Sequence, residues 1–225
     1  MVDTLLLRIF SALPFLVYAS YLDFKYREID SRIWRLMSVL GALFLLADIY
    51  LTKNPRLLLP FAIILAIAVV FSVTLNYFGM IGGGDAKLLI GLGAMFPFLP
   101  KGSFILPTFF LSVFTNAILL GLLINLWVFL LNLKNLRDVR SLKEFARLFG
   151  AYKKDARDIS QFEAVLDEGR LFIGSKNVEF GRGVRKGEVW VSYALPFAFF
   201  ITLGFVISVT YGDLLTLIFY APKTL

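Results

Sequence analysis

The sequence predicts an all-α membrane protein, a bundle of six transmembrane helices with a small cytoplasmic α+β insert between helices five and six. Three observations predict it. Of 225 residues, 59% are hydrophobic and the mean hydropathy is +0.79, more apolar surface than the core of a soluble domain of this size absorbs. Six apolar runs alternate with polar connections. One long polar stretch, Asn132–Glu188, carries thirteen Lys and Arg and nine Asp and Glu, and so belongs in water. The expected division is a membrane domain over 1–131 with helices one to five, the insert over 132–188, and helix six with a tail over 189–225.

Span one is Thr4–Leu22. Arg8 lies inside it and no small-residue cleavage site precedes Asp23, so it reads as a retained helix. Pro14 predicts a kink, and Arg8 is expected to snorkel to the interface. A charged loop, Asp23–Asp30, leads to span two, Ile33–Leu51, whose Asp48 is expected to reach the interface near the exit. A basic turn, Thr52–Arg56, precedes span three, Leu57–Phe78. Span four, Ala86–Pro100, gives about 22 Å of helix against a hydrocarbon core of about 30 Å, so the bilayer thins there or the preceding glycines dip into it. Span five, Phe104–Leu131, gives about 42 Å and should protrude. In the insert, Ser141–Phe149 has helical spacing, and Leu171–Ile173 and Val178–Phe180 are candidate strands. Span six is Val189–Val209. The tail, Thr210–Leu225, is expected at the interface.

The chain has no cysteine and no histidine. That excludes disulfides, a Cys nucleophile, a His-based triad and a zinc cluster, and no cofactor or metal is expected. The net charge of +7 fits basic cytoplasmic loops and anionic lipid, without calling for nucleic acid. With the Asp23 loop, the glycine stretch and the insert on one side, eighteen basic residues face five. The positive-inside rule then makes that side cytoplasmic.

Chemistry concentrates at Gly79-Met80-Ile81-Gly82-Gly83-Gly84-Asp85-Ala86-Lys87. Three glycines make poor helix, and ionisable groups beside lipid are costly. Such irregular backbone is tolerated where protein or a water-filled cavity surrounds it. The plain alternative is a glycine turn with solvated Asp85 and Lys87. Asp23 ends span one and Asp85 begins span four. Two crossings separate them, so both carboxylates lie on one membrane face. If they meet at a partly dry site they share a proton, an arrangement that can activate water with one carboxylate and protonate a carbonyl with the other. If they do not meet, they are ordinary boundary charges.

Gly82-Gly83-Gly84-Asp85 resembles the GxGD motif of intramembrane aspartic proteases. The continuation Ala86-Lys87-Leu88-Leu89 and Gly91-Leu92-Gly93 is similar to the prepilin peptidase branch. So are Asp23-Phe24-Lys25-Tyr26-Arg27-Glu28-Ile29 and Leu195-Pro196-Phe197. Two aspartate motifs about sixty residues apart make a joint signal that neither makes alone. Within the branch, the short loop after span one, the absence of cysteine and the late insert look most like archaeal preflagellin (archaellin) peptidases, and argue against N-methyltransferase activity.

The resemblance implies catalytic Asp23 and Asp85, with Gly82, Gly83, Gly84 and Lys87 as motif or substrate-binding positions. Lys87 has a competing role as an anchor to lipid phosphate. The implied partner is a precursor with a short basic leader and an apolar helix, cut at the cytoplasmic face of the bilayer. Glu28, Asp30, Asp155, Asp158, Glu163, Asp167 and Glu168 are acidic candidates for the leader. A proton-coupled transporter using the two aspartates is the alternative from another class.

Overall fold

The computed structural model describes residues 2–98, 105–133, 148–155, 163–165, 188–193 and 195–220, with Leu136, Ser141, Leu142, Phe145 and Asp158. It is mostly helical. The order is α1 (Val2–Tyr26), α2 (Ser31–Thr52), a 3-10 turn (Pro55–Leu57), α3 (Leu58–Tyr77), α4 (Gly83–Met95), α5 (Phe109–Leu131), β1 (Tyr152–Asp155), β2 (Glu163–Val165), β3 (Glu188–Tyr193), α6 (Phe197–Thr210) and α7 (Leu214–Tyr220). Two compact units result, Met1–Leu120 with Pro196–Leu225, and Gly121–Leu195.

Among the described residues, four helices are long and apolar enough to cross a membrane: Thr4–Tyr26, Ser31–Thr52, Pro55–Tyr77 and Phe109–Leu131. Their boundaries have local causes. The Asp30 side chain accepts from the Arg32 N–H at 2.8 Å and starts α2. Asn54 does the same for the Pro55 turn through Arg56. At the end of α3, Gly79 takes a φ of 71°, its N–H bonds the Asn76 carbonyl, and the Met80 N–H bonds the Leu75 carbonyl. This paired bonding closes the helix and needs the left-handed residue that glycine supplies.

Within the first unit α4 is the centre. Leu88, Leu89, Leu92 and Met95 are fully buried, and α4 packs chiefly against α2 and α3, while α1 packs on α6. Phe96, Phe109 and Phe205 form an aromatic cluster with centroids 4.8–5.8 Å apart. The outward faces stay apolar. Phe10, Tyr50, Leu59 and Val70 are exposed, as lipid-facing side chains are. In the second unit, β3 is the middle strand of a three-stranded antiparallel sheet ordered β1-β3-β2. Glu163 is buried there, where Lys154 donates to both its oxygens at 2.9 Å and the Tyr152 hydroxyl also donates.

Several expectations are corrected. Helix α4 starts earlier, at Gly83, and is 13 residues long, about 20 Å. Gly83 and Gly84 are thus helical. In a first turn the N–H groups lack intrahelical partners anyway, so glycine there forfeits little. The apolar run from Val189 is not one helix. Its first part pairs as β3, and the helix begins after Pro196, which fits a helix start and not a helix interior. Neither Arg8 nor Asp48 is turned outward to solvent. Both are about 4% exposed and bonded to each other at 2.7 Å, with Arg8 also donating to the Met95 carbonyl. Mutual neutralisation and a free helix-end carbonyl replace the water that snorkelling would have found. The two candidate strands at 171–173 and 178–180 lie outside the described residues. Of the Ser141–Phe149 helix, the described part shows one turn, the Phe145 N–H bonding the Ser141 carbonyl.

Candidate active site

Asp23 stands in the last turn of α1 and is 9% exposed. The helix ends just beyond it. Arg27 is left-handed, with φ 58°, and its N–H returns to the Asp23 carbonyl at 3.1 Å. The Asp23 Oδ2 accepts from the Ala198 N–H at 3.0 Å. Ala198 is the second residue of α6, and the N-cap of that helix, Pro196, offers no side-chain hydrogen bond. An acid from α1 therefore satisfies a free N–H at the start of α6, where the helix dipole also favours negative charge. The buried guanidinium of Arg27 adds its positive charge to the Asp23 surroundings.

Asp85 is the third residue of α4. Its carboxylate reaches back to the Gly82 N–H, at the helix N-cap, in the manner of a capping box. Its Oδ1 is buried and has no hydrogen-bond partner among the described residues. Asn76 steadies the preceding loop by donating to the Ile81 carbonyl at 3.1 Å.

The two segments meet. A Cβ on Gly84 would lie 2.9–3.1 Å from side-chain atoms of Ile29, so only glycine lets α4 dock this closely on the α1–α2 loop. Lys87 adds a second tie, its ammonium donating to the Ser31 hydroxyl at 3.0 Å. Asp23 and Asp85 come within direct Coulombic reach of each other. The structure thus gathers Asp23, Asp85, Gly82 and Gly84 at one place. Gly83 faces Asn76, and the exposed Lys87 turns to α2. Of the acidic candidates, Asp30 is engaged as a helix cap and Glu163 with Lys154, while Asp167 and Glu168 lie outside the described residues. No cluster of three or more potential metal ligands occurs among the described residues.

Sequence reasoning missed the Ala198 N–H and the Ile29–Gly84 contact. The first is a backbone group 175 residues from its acceptor and leaves no local signal. The second had one, since Ile29 closes the first motif and Gly84 is the glycine directly before Asp85 in the second.

Residues 10–135 match the type IV leader peptidase family, and residues 126–214 match the archaeal peptidase A24 C-terminus, type II. The chain belongs to the type IV leader peptidase family. Three relatives agree over most of their lengths. A preflagellin peptidase of Methanococcus voltae is 31% identical, over 88% of this chain and 92% of its own. Preflagellin peptidases of Methanococcus maripaludis and Methanocaldococcus jannaschii are each 27% identical, over 88% of this chain and 92% and 91% of theirs. As a type IV leader peptidase, the chain is a protease that processes leader peptides, and its long apolar helices fit a multi-pass membrane protein.

Proposed function

We propose that the chain is a membrane-embedded aspartic endopeptidase that removes the basic leader of archaeal preflagellins and related precursors, with Asp23 and Asp85 as its catalytic pair. The observation that carries this is that two carboxylates from distant motifs lie within Coulombic reach of each other, the Asp85 Oδ1 being buried and without a hydrogen-bond partner among the described residues. Two carboxylates within Coulombic reach at a partly dry site do not both ionise cheaply, and in this reading the pair shares one proton. Asp23, beside the Ala198 N–H and Arg27, is suited to remain the carboxylate that takes a proton from water. Asp85, with Oδ1 unmatched, is suited to hold the shared proton and give it to the scissile carbonyl. As the C–N bond breaks, Asp23 gives the proton it took from water to the leaving amine and the gem-diol hydroxyl returns a proton to Asp85, so the pair is regenerated and no covalent enzyme intermediate forms. The short helices α4 and α6 complete a six-span bundle in this reading, and the charge asymmetry of the loops puts the site at the cytoplasmic face.

The test is incubation of the purified protein with a preflagellin-type precursor, followed by mass mapping. One cut between the basic leader and the apolar helix is expected, indifferent to chelators and thiol reagents. No cut, or loss of cutting in EDTA with recovery on adding a divalent metal, would overturn the reading.

A further inference from the structure

Next to Asp23, the seam between α1 and α6 holds a polar cluster inside an otherwise apolar contact. The Ser20 and Thr202 hydroxyls lie 2.7 Å apart and both are buried. The Ser20 hydroxyl lies 2.9 and 3.1 Å from the Leu16 and Ala198 carbonyls, and the Thr202 hydroxyl 3.1 and 3.0 Å from the same two, so the two O–H groups have these carbonyls and each other to donate to. The cluster therefore joins the turn of α1 that precedes Asp23 to the first turn of α6. Its target is Ala198, the residue whose N–H binds Asp23. Ser20 is three residues before Asp23 and so shares its face of α1, and Thr202 is four after Ala198. Two alkyl side chains would pack this seam as well, and polar groups left unbonded in lipid are costly. Hydroxyls here fix the axial register of α6 against α1, which apolar packing alone leaves loose.

We propose that Ser20, Thr202 and the Ala198 N–H form a positioning set that fixes the Asp23 carboxylate in its reactive orientation; this rests on Asp23 being one of the reacting groups. α6 carries no titratable side chain. What it offers Asp23 is therefore the oriented N–H and the helix end. Among the described residues, the charged groups bearing on Asp23 are Arg27, just past the end of its own helix, and Asp85, from α4. A slip of α6 by a fraction of an ångström would turn the Ala198 N–H away and free the carboxylate to rotate. Misplacement on the order of 1 Å costs up to about 100-fold in rate.

The full-length protein is assayed in detergent or vesicles with a preflagellin-type precursor. Thr202→Val keeps the shape and removes the hydroxyl; Thr202→Ser restores it. The expected result is a fall in kcat of about 10-fold for Thr202→Val, with KM within about twofold, and recovery in Thr202→Ser. Ser20→Ala, the milder change, should lower kcat in the same way and serves if Thr202→Val does not fold. An unchanged kcat, a loss in KM alone, or a loss that Thr202→Ser does not restore would overturn the proposal. Asp23→Asn runs alongside. If it cleaves as the wild type does, the assignment of Asp23 fails, which is a different result from an indifferent Thr202→Val.

Discussion

The two ends of α4 handle buried charge in opposite ways. At its C-terminal end, Arg8 and Asp48 neutralise each other at 2.7 Å, and the guanidinium also takes up the Met95 carbonyl. At its N-terminal end, Asp85 sits within Coulombic reach of a second acid, and one of its oxygens has no partner among the described residues. The first end is built to be stable. The second leaves free energy unspent, as a site that must act on a ligand does. The contrast is sharpest because one 13-residue helix spans both.

Neutralising either end should separate activity from stability. Asp85→Asn should lower cleavage by about 1000-fold or more, while thermal stability holds or rises, because a charged group with one buried oxygen lacking a partner among the described residues is made neutral. Asp48→Asn should do the reverse. It leaves Arg8 charged and buried, at a cost of about 3–5 kcal/mol, while the folded fraction still cleaves. Thermal melts and rates per folded molecule check both. Equal effects on stability at the two ends would erase the contrast.

Steric probes are milder. A Cβ on Gly41 would sit 2.4 Å from the Ala94 carbonyl oxygen, at the balanced end, so Gly41→Ala should push α2 off α4 and cost about 1–3 kcal/mol. Gly84→Ala meets the side chain of Ile29, which can partly yield, and should act on rate before stability. Melts and initial rates of the two variants, compared side by side, separate these outcomes.

Another buried carboxylate supplies a control with the smallest effect. Asp213 accepts from the Ile105 and Leu106 N–H groups at 2.7 and 3.2 Å, and from the Thr216 N–H and hydroxyl at 2.7 and 2.6 Å. Burial pushes its carboxyl up, but these bonds, those from Thr216 foremost, outweigh burial and hold it below the ordinary carboxylate value. A depressed folded pKa stabilises above the unfolded value of about 3.9 and stops doing so as pH falls through the depressed one. Asp213→Asn should therefore lower stability by about 1 kcal/mol at pH 7, and the gap in melting temperature should close in strong acid. A gap that is constant with pH would mean that charge is not what Asp213 contributes.

What the sequence made legible follows from what is local. The aspartate motifs, the long spans and the family are written in neighbouring residues and in composition. The pairing of Arg8 with Asp48 is not, because two lone charges 40 residues apart look like interface residues until α1 and α2 are packed. β3 was readable in retrospect. Val189, Trp190, Val191 and Tyr193 are β-branched or aromatic, and Pro196 marks a helix start. An apolar run next to a membrane helix hid that signal. The capping of α6 by Asp23 had none, since its donor is main chain.

The most direct measurement is the cleavage rate of Asp23→Asn, Asp85→Asn and the double variant against the wild type, on one precursor and with folding verified. If the two carboxylates act as one unit, each single variant is as inactive as the double, all three at background. A single variant that keeps more than about a few per cent of wild-type activity, or a double that multiplies two partial losses, would contradict a shared-proton pair.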